Sequence, residues 1–253
     1  MFLKTFCLKR NKTSYHEVLA DSNLFEKFYE IDNPYNVECI AIPDGSVDIQ
    51  CFWKGNAMNV YVAGSYREGG ISKITEYDKC FGARFHTGIL PMSLNGDIGK
   101  IINNRILLDS YFEIPGLKEK VKIDLLLEQK ADCMLDLFRD VEVPKENMII
   151  RFLIDEIKKN SGHVVVGDMI ENLGYSHRYS DYVFKSTTGF SIKKYASIIR
   201  LQESIKCIME KKEDNVYDKL GYYDQSHFIH DFKRFTSLTP NLLKKNAEEI
   251  EIV

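Results

Sequence analysis

Gly221-Tyr222-Tyr223-Asp224-Gln225-Ser226-His227-Phe228, continued by Phe232-Lys233-Arg234-Phe235 and Thr239-Pro240, is the stretch that decides the fold of the C-terminal part. A glycine free of the Cβ penalty stands in the turn, and the run after it carries Phe232 with Lys233 beside it. An earlier stretch repeats the plan: Gly174-Tyr175-Ser176, then Phe184-Lys185 and Thr188-Gly189-Phe190-Ser191. Gly174 and Gly221 are 47 residues apart, and at the same offset Met169 pairs with Val216 and Leu173 with Leu220. Each glycine therefore follows a short helix with an apolar face.

Eight residues separate Tyr175 from Phe184, and nine separate Tyr222 from Phe232, which allows a second helix with a buried Phe and a lysine beside it. The pattern is helix, glycine turn, helix, written twice, and the second helix of such a unit can offer polar side chains to the DNA major groove. Between the copies, Ile192–Glu210 reads as one helix with Tyr195, Ile198, Ile199, Ile205 and Ile208 as its buried stripe. At ~1.5 Å per residue it is about 28 Å long, close to the roughly 34 Å between successive major-groove faces. Further helices are expected at about 166–173, 177–186, 215–220, 224–235 and 239–247. Upstream, Ile150, Leu153, Ile154 and Ile157 mark an amphipathic helix ending before Ser161-Gly162.

Before Pro144 the regime changes. Pro43-Asp44-Gly45 is a turn leading into Val47, Ile49 and Cys51 on alternate positions, and short β-rich runs continue from Val37 to about Val121. Leu125, Leu126, Met134, Leu137 and Phe138 then indicate a helix over about 124–140. The expected fold is α+β in two domains: a β-rich barrel or sandwich with a terminal helix over 1–143, and an all-α domain over 144–253.

Composition narrows the classes. With 44% hydrophobic and 28% charged residues over 253 positions, the chain can build a sizeable core and is not a disordered one. The six cysteines, Cys7, Cys39, Cys51, Cys80, Cys133 and Cys207, form no C-x-x-C pair, so free thiols in a reducing compartment are expected. Lysine interrupts the N-terminal apolar residues early, and no apolar run approaches the ~18 residues of a membrane span, which points to a cytoplasmic chain with no membrane partner. Residues 1–147 carry a formal charge of −4 and 148–253 of +1, but the segment ending at Asn246 carries +4, a balance compatible with a nucleic-acid partner.

Taken together, Gly174-Tyr175-Ser176, Phe184-Lys185, Thr188-Gly189-Phe190-Ser191, Tyr195, Arg200-Leu201-Gln202 and the whole of the second stretch resemble the DNA-binding domain of AraC-family transcriptional regulators over about 148–246. Departures stand at Ile170 and Tyr217, where a small Ala is usual, at Ser180 in place of Leu and at Ser237 in place of Gly. The resemblance implies two helix-turn-helix units that bind promoter DNA. His177, Arg178, Asp181 and Tyr182 would face bases in the first and Gln225, Ser226, His227 and His230 in the second, with Lys185, Lys193, Arg200 and Lys233 on phosphates. Lys194 reads as a solvated lysine. Ile42-Pro43-Asp44-Gly45-Ser46-Val47-Asp48-Ile49 and Gly82-Ala83-Arg84-Phe85-His86-Thr87-Gly88 are more weakly similar to the cupin-like N-terminal domain of a subgroup, which implies an effector or dimerisation role. The partners so implied are double-stranded promoter DNA, a small-molecule effector, a second copy of the chain and, for an activator, RNA polymerase. Trp53, Tyr66, Arg84 and His86 are the candidates for an effector pocket.

Enzymatic readings are poorer. Gly64 to Ile71 has the glycine spacing of a phosphate loop but lacks its Lys-Ser/Thr end. No cofactor, metal or catalytic residue is expected: His16 and His86 are too few for a cupin metal site, and Asp44 and Asp48 are explained as a turn and a strand-face residue. The alternative from another class is a cupin-like metalloenzyme whose helical part binds a protein partner.

Overall fold

The computed structural model describes residues 6–9, 13–32, 39–72, 76–91, 98–108, 114–142, 148–171, 173–210, 216–246 and 248–253. The expected domain boundary at 143/144 lies outside them. Six strands form one antiparallel sheet: in spatial order β2 (Ser14–Leu19), β3 (Phe25–Asp32), β8 (Lys79–Phe85), β5 (Val47–Lys54), β6 (Ala57–Gly64) and β9 (Arg105–Leu107). A smaller antiparallel sheet of β10 (Ile250–Ile252), β1 (Phe6–Lys9), β4 (Cys39–Ala41) and β7 (Gly70–Ser72) accompanies it.

Strand alternation divides the larger sheet's faces. Val47, Ile49, Cys51 and Trp53 join Val60, Val62, Phe81, Ala83 and Phe85 in the main apolar core, which extends under α3 (Leu127–Leu137) and through the C-terminal helices. Phe25 meets Phe138 edge-on at 5.2 Å just beyond α3. The opposite residues, Tyr29, Ile31, Phe52 and Cys80, pack with Leu8, Ala41 and Val253 of the smaller sheet's strands and terminus. β2 and β3 precede the expected β-rich region. In β3 nearly every residue is buried, Lys27 and Glu30 included, so the strand is buried on both faces and shows no polar-apolar alternation.

Polar residues inside these sheets are paired. Asp48 and Arg84 are opposite one another across β5 and β8, and Arg84 Nε donates to Asp48 Oδ1 at 3.0 Å. Arg84 Nη1 is 2.8 Å from Asp44 Oδ2, while the other oxygen of Asp44 receives the Ser46 amide at 3.0 Å, the turn role expected for it. Burial opposes the Arg84 charge, but Asp44 and Asp48 outweigh it and hold the guanidinium firmly protonated. On the other face Lys130 of α3, fully buried, binds Glu30 and lies over Trp53.

The helices after Met148 follow the expected spans closely: α4 (Met148–Lys159), α5 (Val166–Glu171), α6 (His177–Thr188), α7 (Ile192–Met209), α8 (Val216–Lys219), α9 (Gln225–Thr236) and α10 (Pro240–Lys245). Ile150, Leu153, Ile154 and Ile157 are all buried on α4. Two short helices, α1 (Ile98–Ile101) and α2 (Leu117–Lys120), lie in the region read as strands alone.

Residues 144–253 are not all helical: β10 leaves the helical part and pairs antiparallel with β1, Ile252 opposite Cys7. A three-residue strand preceded by two glutamates carries little local signal, and its pairing partner is more than 240 residues away in sequence. The two parts also share buried contacts. Gln202 of α7 donates to the Pro43 carbonyl at 2.7 Å, and Gly45, at φ 77°, accommodates the Tyr195 ring so closely that a Cβ there would sit 2.6 Å from it.

Candidate nucleic-acid interface

The two copies of the repeat fold alike to the level of single hydrogen bonds. Gly174 and Gly221 turn the chain at φ 69° and 67°. Ser176 then caps α6 by accepting the Tyr179 amide, and Asp224 caps α9 by accepting that of His227. At the far ends, Thr188 Oγ1 donates to the Phe184 carbonyl and Thr236 Oγ1 to that of Phe232, at 2.8 and 2.7 Å. Each threonine oxygen also receives an amide two residues on, from Phe190 and Leu238. Gly189 and Ser237 occupy the left-handed C-cap, and Ser191 and Thr239 cap the helices that follow.

The cores of the pairs are apolar. Met169, Ile170 and Phe184 are buried in the first, and Leu220, Tyr222, Phe228 and Phe232 in the second. Ser180, where the resemblance leads one to expect Leu, is fully buried with its hydroxyl unpaired. The side chains of Val216 and Lys219 lie outside the described residues.

His177, Arg178 and Tyr182 are exposed on α6, with Lys185 one turn beyond Asp181. On α9 the exposed set is Gln225, Ser226, His227, His230 and Lys233. Lys193 is exposed on the first turn of α7. Two candidates have structural duties. Asp181 Oδ1 accepts the Ile192 amide at 3.0 Å, so this carboxylate caps α7 across 11 residues. Arg200 donates to the Gly162 carbonyl at 3.0 Å and stacks over Tyr222, which joins α7 to both neighbouring turns.

Asp231, which sequence reading passed over, and Lys194, read as solvated, both bear on the second helix. Asp231, mostly buried, holds Arg234 at 3.0 Å and is 3.8 Å from His227, setting the charge behind the exposed face. Lys194 is not simply solvated: its ammonium lies 4.3 Å from the Phe235 ring centroid, and burial, then the Arg234 charge, holds its pKa below the ordinary lysine value. The spacing of Asp231 from His227 and Arg234, i+4 and i−3, was the available signal for the first.

The four effector-pocket candidates do not converge. Arg84 and Tyr66 line a cavity of about 40 Å³ together with Asp44, Asp48 and Gln50, and neither Trp53 nor His86 lines it. Trp53 is beneath Lys130 on the opposite sheet face, and His86 Nε2 is bonded to the Ser22 carbonyl at 3.0 Å. The strand period of two sends positions 53 and 84 to opposite faces. A larger cleft, about 710 Å³, lies where the 66–70 loop meets the α6–α7 corner, lined by Tyr66, Arg67, Glu68, Lys185, Phe190 and Lys194 among others. Among the described residues no three His, Cys, Asp or Glu side chains are grouped to hold a metal ion, and no helix is long and apolar enough to cross a membrane.

Residues 169–246 match the protein family described as "Helix-turn-helix domain". The transcriptional regulatory protein HptR of Staphylococcus aureus is 24% identical over 190 residues, covering 62% of this chain and 75% of that protein. The probable transcription factor PqrA of Proteus vulgaris is 26% identical over 104 residues, 40% of this chain and 84% of that one. Among solved structures, ToxT from Vibrio cholerae aligns over 94% of this chain and 97% of its own, at 14% identity and a TM-score of 0.42.

Proposed function

We infer, from an AraC-type helix-turn-helix domain over residues 169–246, that this chain is a transcription regulator binding promoter DNA sequence-specifically through two helix-turn-helix units. The observation that carries the reading is the duplicated hydrogen-bond plan around Gly174 and Gly221, which leaves the starts of α6 and α9 uncovered. α6 presents His177, Arg178 and Tyr182 to one major-groove segment and α9 presents Gln225, Ser226, His227 and His230 to the next. Arg suits the guanine O6/N7 edge and Gln the adenine edge. Lys185, Lys193 and Lys233 serve as phosphate contacts, each adding about 0.9 to the salt slope. Asp181 and Arg200 are assigned to helix capping and packing instead.

In this reading the division of labour is functional rather than structural. Residues up to 143 serve sensing or dimerisation and those from 144 serve DNA, while β10 ties the two together. The small Arg84 cavity has room for little more than water. Effector control therefore belongs to the cleft at the α6–α7 corner, whose volume falls in the roughly 300–1,000 Å³ range of small-molecule sites. Homodimerisation and, in an activator, contact with RNA polymerase complete the reading.

Selection of bound sequences from a random duplex pool by the full chain, followed by titration of the winner at several salt concentrations, tests it. A convergent site with two half-elements about one helical turn apart is the expected result. Enrichment no better than non-specific binding would refute it.

A further inference from the structure

The second helix–turn–helix pair is gripped by the N-terminal sheets from two sides. On one side, the Gly69 amide donates to the Arg234 carbonyl at 3.1 Å, in the last turn of α9. The approach is so close that a Cβ on Gly69 would lie 2.4 Å from the Phe235 carbonyl oxygen. Glu68 reaches Arg234 alongside, at 3.6 Å. On the other side, the Asn246 carbonyl that follows α10 accepts both the Glu249 and the Ile250 amides, at 2.9 and 2.8 Å. β10 then pairs with β1, and Ile252 and Val253 are buried, Val253 among the residues between the sheets. Between the grips, Leu243 of α10 is fully buried in the core that α7 and α9 share.

With α9 tied at its last turn and α10 tied through β10, the second unit is restrained from swivelling about α7. We propose that Gly69 and Ile252 are positioning residues that fix the angle of the second unit relative to the first, and so dictate which spacing between DNA half-elements the protein accepts. The proposal rests on the DNA-binding reading above. B-DNA advances about 3.4 Å and turns about 35° per base pair, so a unit locked in angle should reject a one-base-pair insertion that a loosened unit tolerates. A strand of only three residues is short enough to be detached by one substitution.

The test uses the full chain with Gly69→Ala, Ile252→Asp and, as the conservative control, Ile252→Val. Affinity is measured for the selected site and for versions with one base pair inserted or removed between the half-elements. Wild type and Ile252→Val should lose at least about tenfold on the altered spacings. Gly69→Ala and Ile252→Asp should bind the optimal site several-fold more weakly yet lose less than about threefold on altering the spacing. A spacing profile identical to wild type in both variants overturns the proposal, and if Ile252→Asp does not fold, Gly69→Ala decides alone. Amide exchange on the same proteins is independent of DNA: α9 and α10 should exchange at least about tenfold faster in the variants, with α4 and α6 unchanged. Should the wild-type chain select no site, the DNA-binding reading fails on that result, and unchanged exchange in α9 and α10 separately overturns the grip.

Discussion

Ser237→Gly tests whether the repeat is read correctly at the level of the backbone. Ser237 ends α9 at φ 59°, in the left-handed region, at the place Gly189 occupies at the end of α6 with φ 79°. For a residue with a Cβ that conformation costs about 1–2 kcal/mol. Glycine removes this cost but loses about 0.5–1 kcal/mol through greater freedom in the unfolded chain. The Ser237 side chain is exposed, and the capping bond from its amide to the Lys233 carbonyl, 2.8 Å, does not depend on it. The net gain should therefore be roughly 0.5–1 kcal/mol, or about 1–4 °C in Tm for a chain of this size. The reciprocal change, Gly189→Ser, should lower stability by about 2–3 kcal/mol, because its Cβ would lie 2.3 Å from Ile102 Cγ1 in a packed contact. Urea denaturation of both variants beside wild type is the assay. A Ser237→Gly protein no more stable than wild type would show that the left-handed cap is not under strain, and the equivalence of the two C-caps would fall with it.

Asp181→Ala should cost about 1 kcal/mol of stability through the lost cap on α7 while leaving base preference in the first half-element unchanged; a shift in the selected sequence would return Asp181 to the DNA. Arg178→Ala and Gln225→Ala should each weaken binding by about 1–3 kcal/mol and relax one base position, and wild-type affinity in both would refute the recognition face. Arg84→Met leaves Asp44 and Asp48 buried without their partner and should destabilise by about 3–5 kcal/mol, read by denaturant titration; a near-neutral result would mean that the carboxylates are otherwise satisfied. Burial pushes the Cys51 thiol up to about 12, above its ordinary value of 9.0. The folded state therefore keeps a proton that the unfolded state loses, and this contribution, intact below pH 9, declines by about 1.4 kcal/mol per unit towards pH 12. Cys51→Ala should flatten that part of the stability profile, and an unchanged slope would place its cause elsewhere.

What could be read from the sequence was what depends on near neighbours. Turn glycines at 174 and 221, and apolar residues spaced by three and four such as Ile150, Leu153, Ile154 and Ile157, mark the helices after Met148 within windows of a few residues. The grouping around Arg84 could not be read in that way. Asp44 and Asp48 are 40 and 36 positions from Arg84, and only the β5–β8 register brings them together. β3 was hidden for a different reason: Lys27 and Glu30 look like solvent-facing positions but are buried in ion pairs with Glu17 and Lys130. Asp181 shows the same limit within the legible part. It is half-buried on α6, and one oxygen is committed to an amide that only the tertiary fold delivers. In β10 the alternation of Ile250 and Ile252 was present, but the glutamates around it read as an acidic tail.

The longest helix is enclosed by the core that the two parts share. α7 buries Ile192, Tyr195, Ile198, Ile199, Leu201, Gln202 and Ile205, among others, positions that run round most of its circumference rather than along a single stripe. A helix facing solvent along one side can slide or tilt with little loss, but one enclosed on several sides exposes apolar area whichever way it moves. The pairs α5–α6 and α8–α9 both pack on this rod, whose 18 residues span about 27 Å, so their separation is set by the core and not by connecting loops. The polar contact of Gln202 with the Pro43 carbonyl acts in the same sense, since pulling the parts away would strip a buried amide of its acceptor. If the proposed grips at Gly69 and β10 set the angle of the second unit, a signal that alters DNA recognition acts either on them or on these buried contacts.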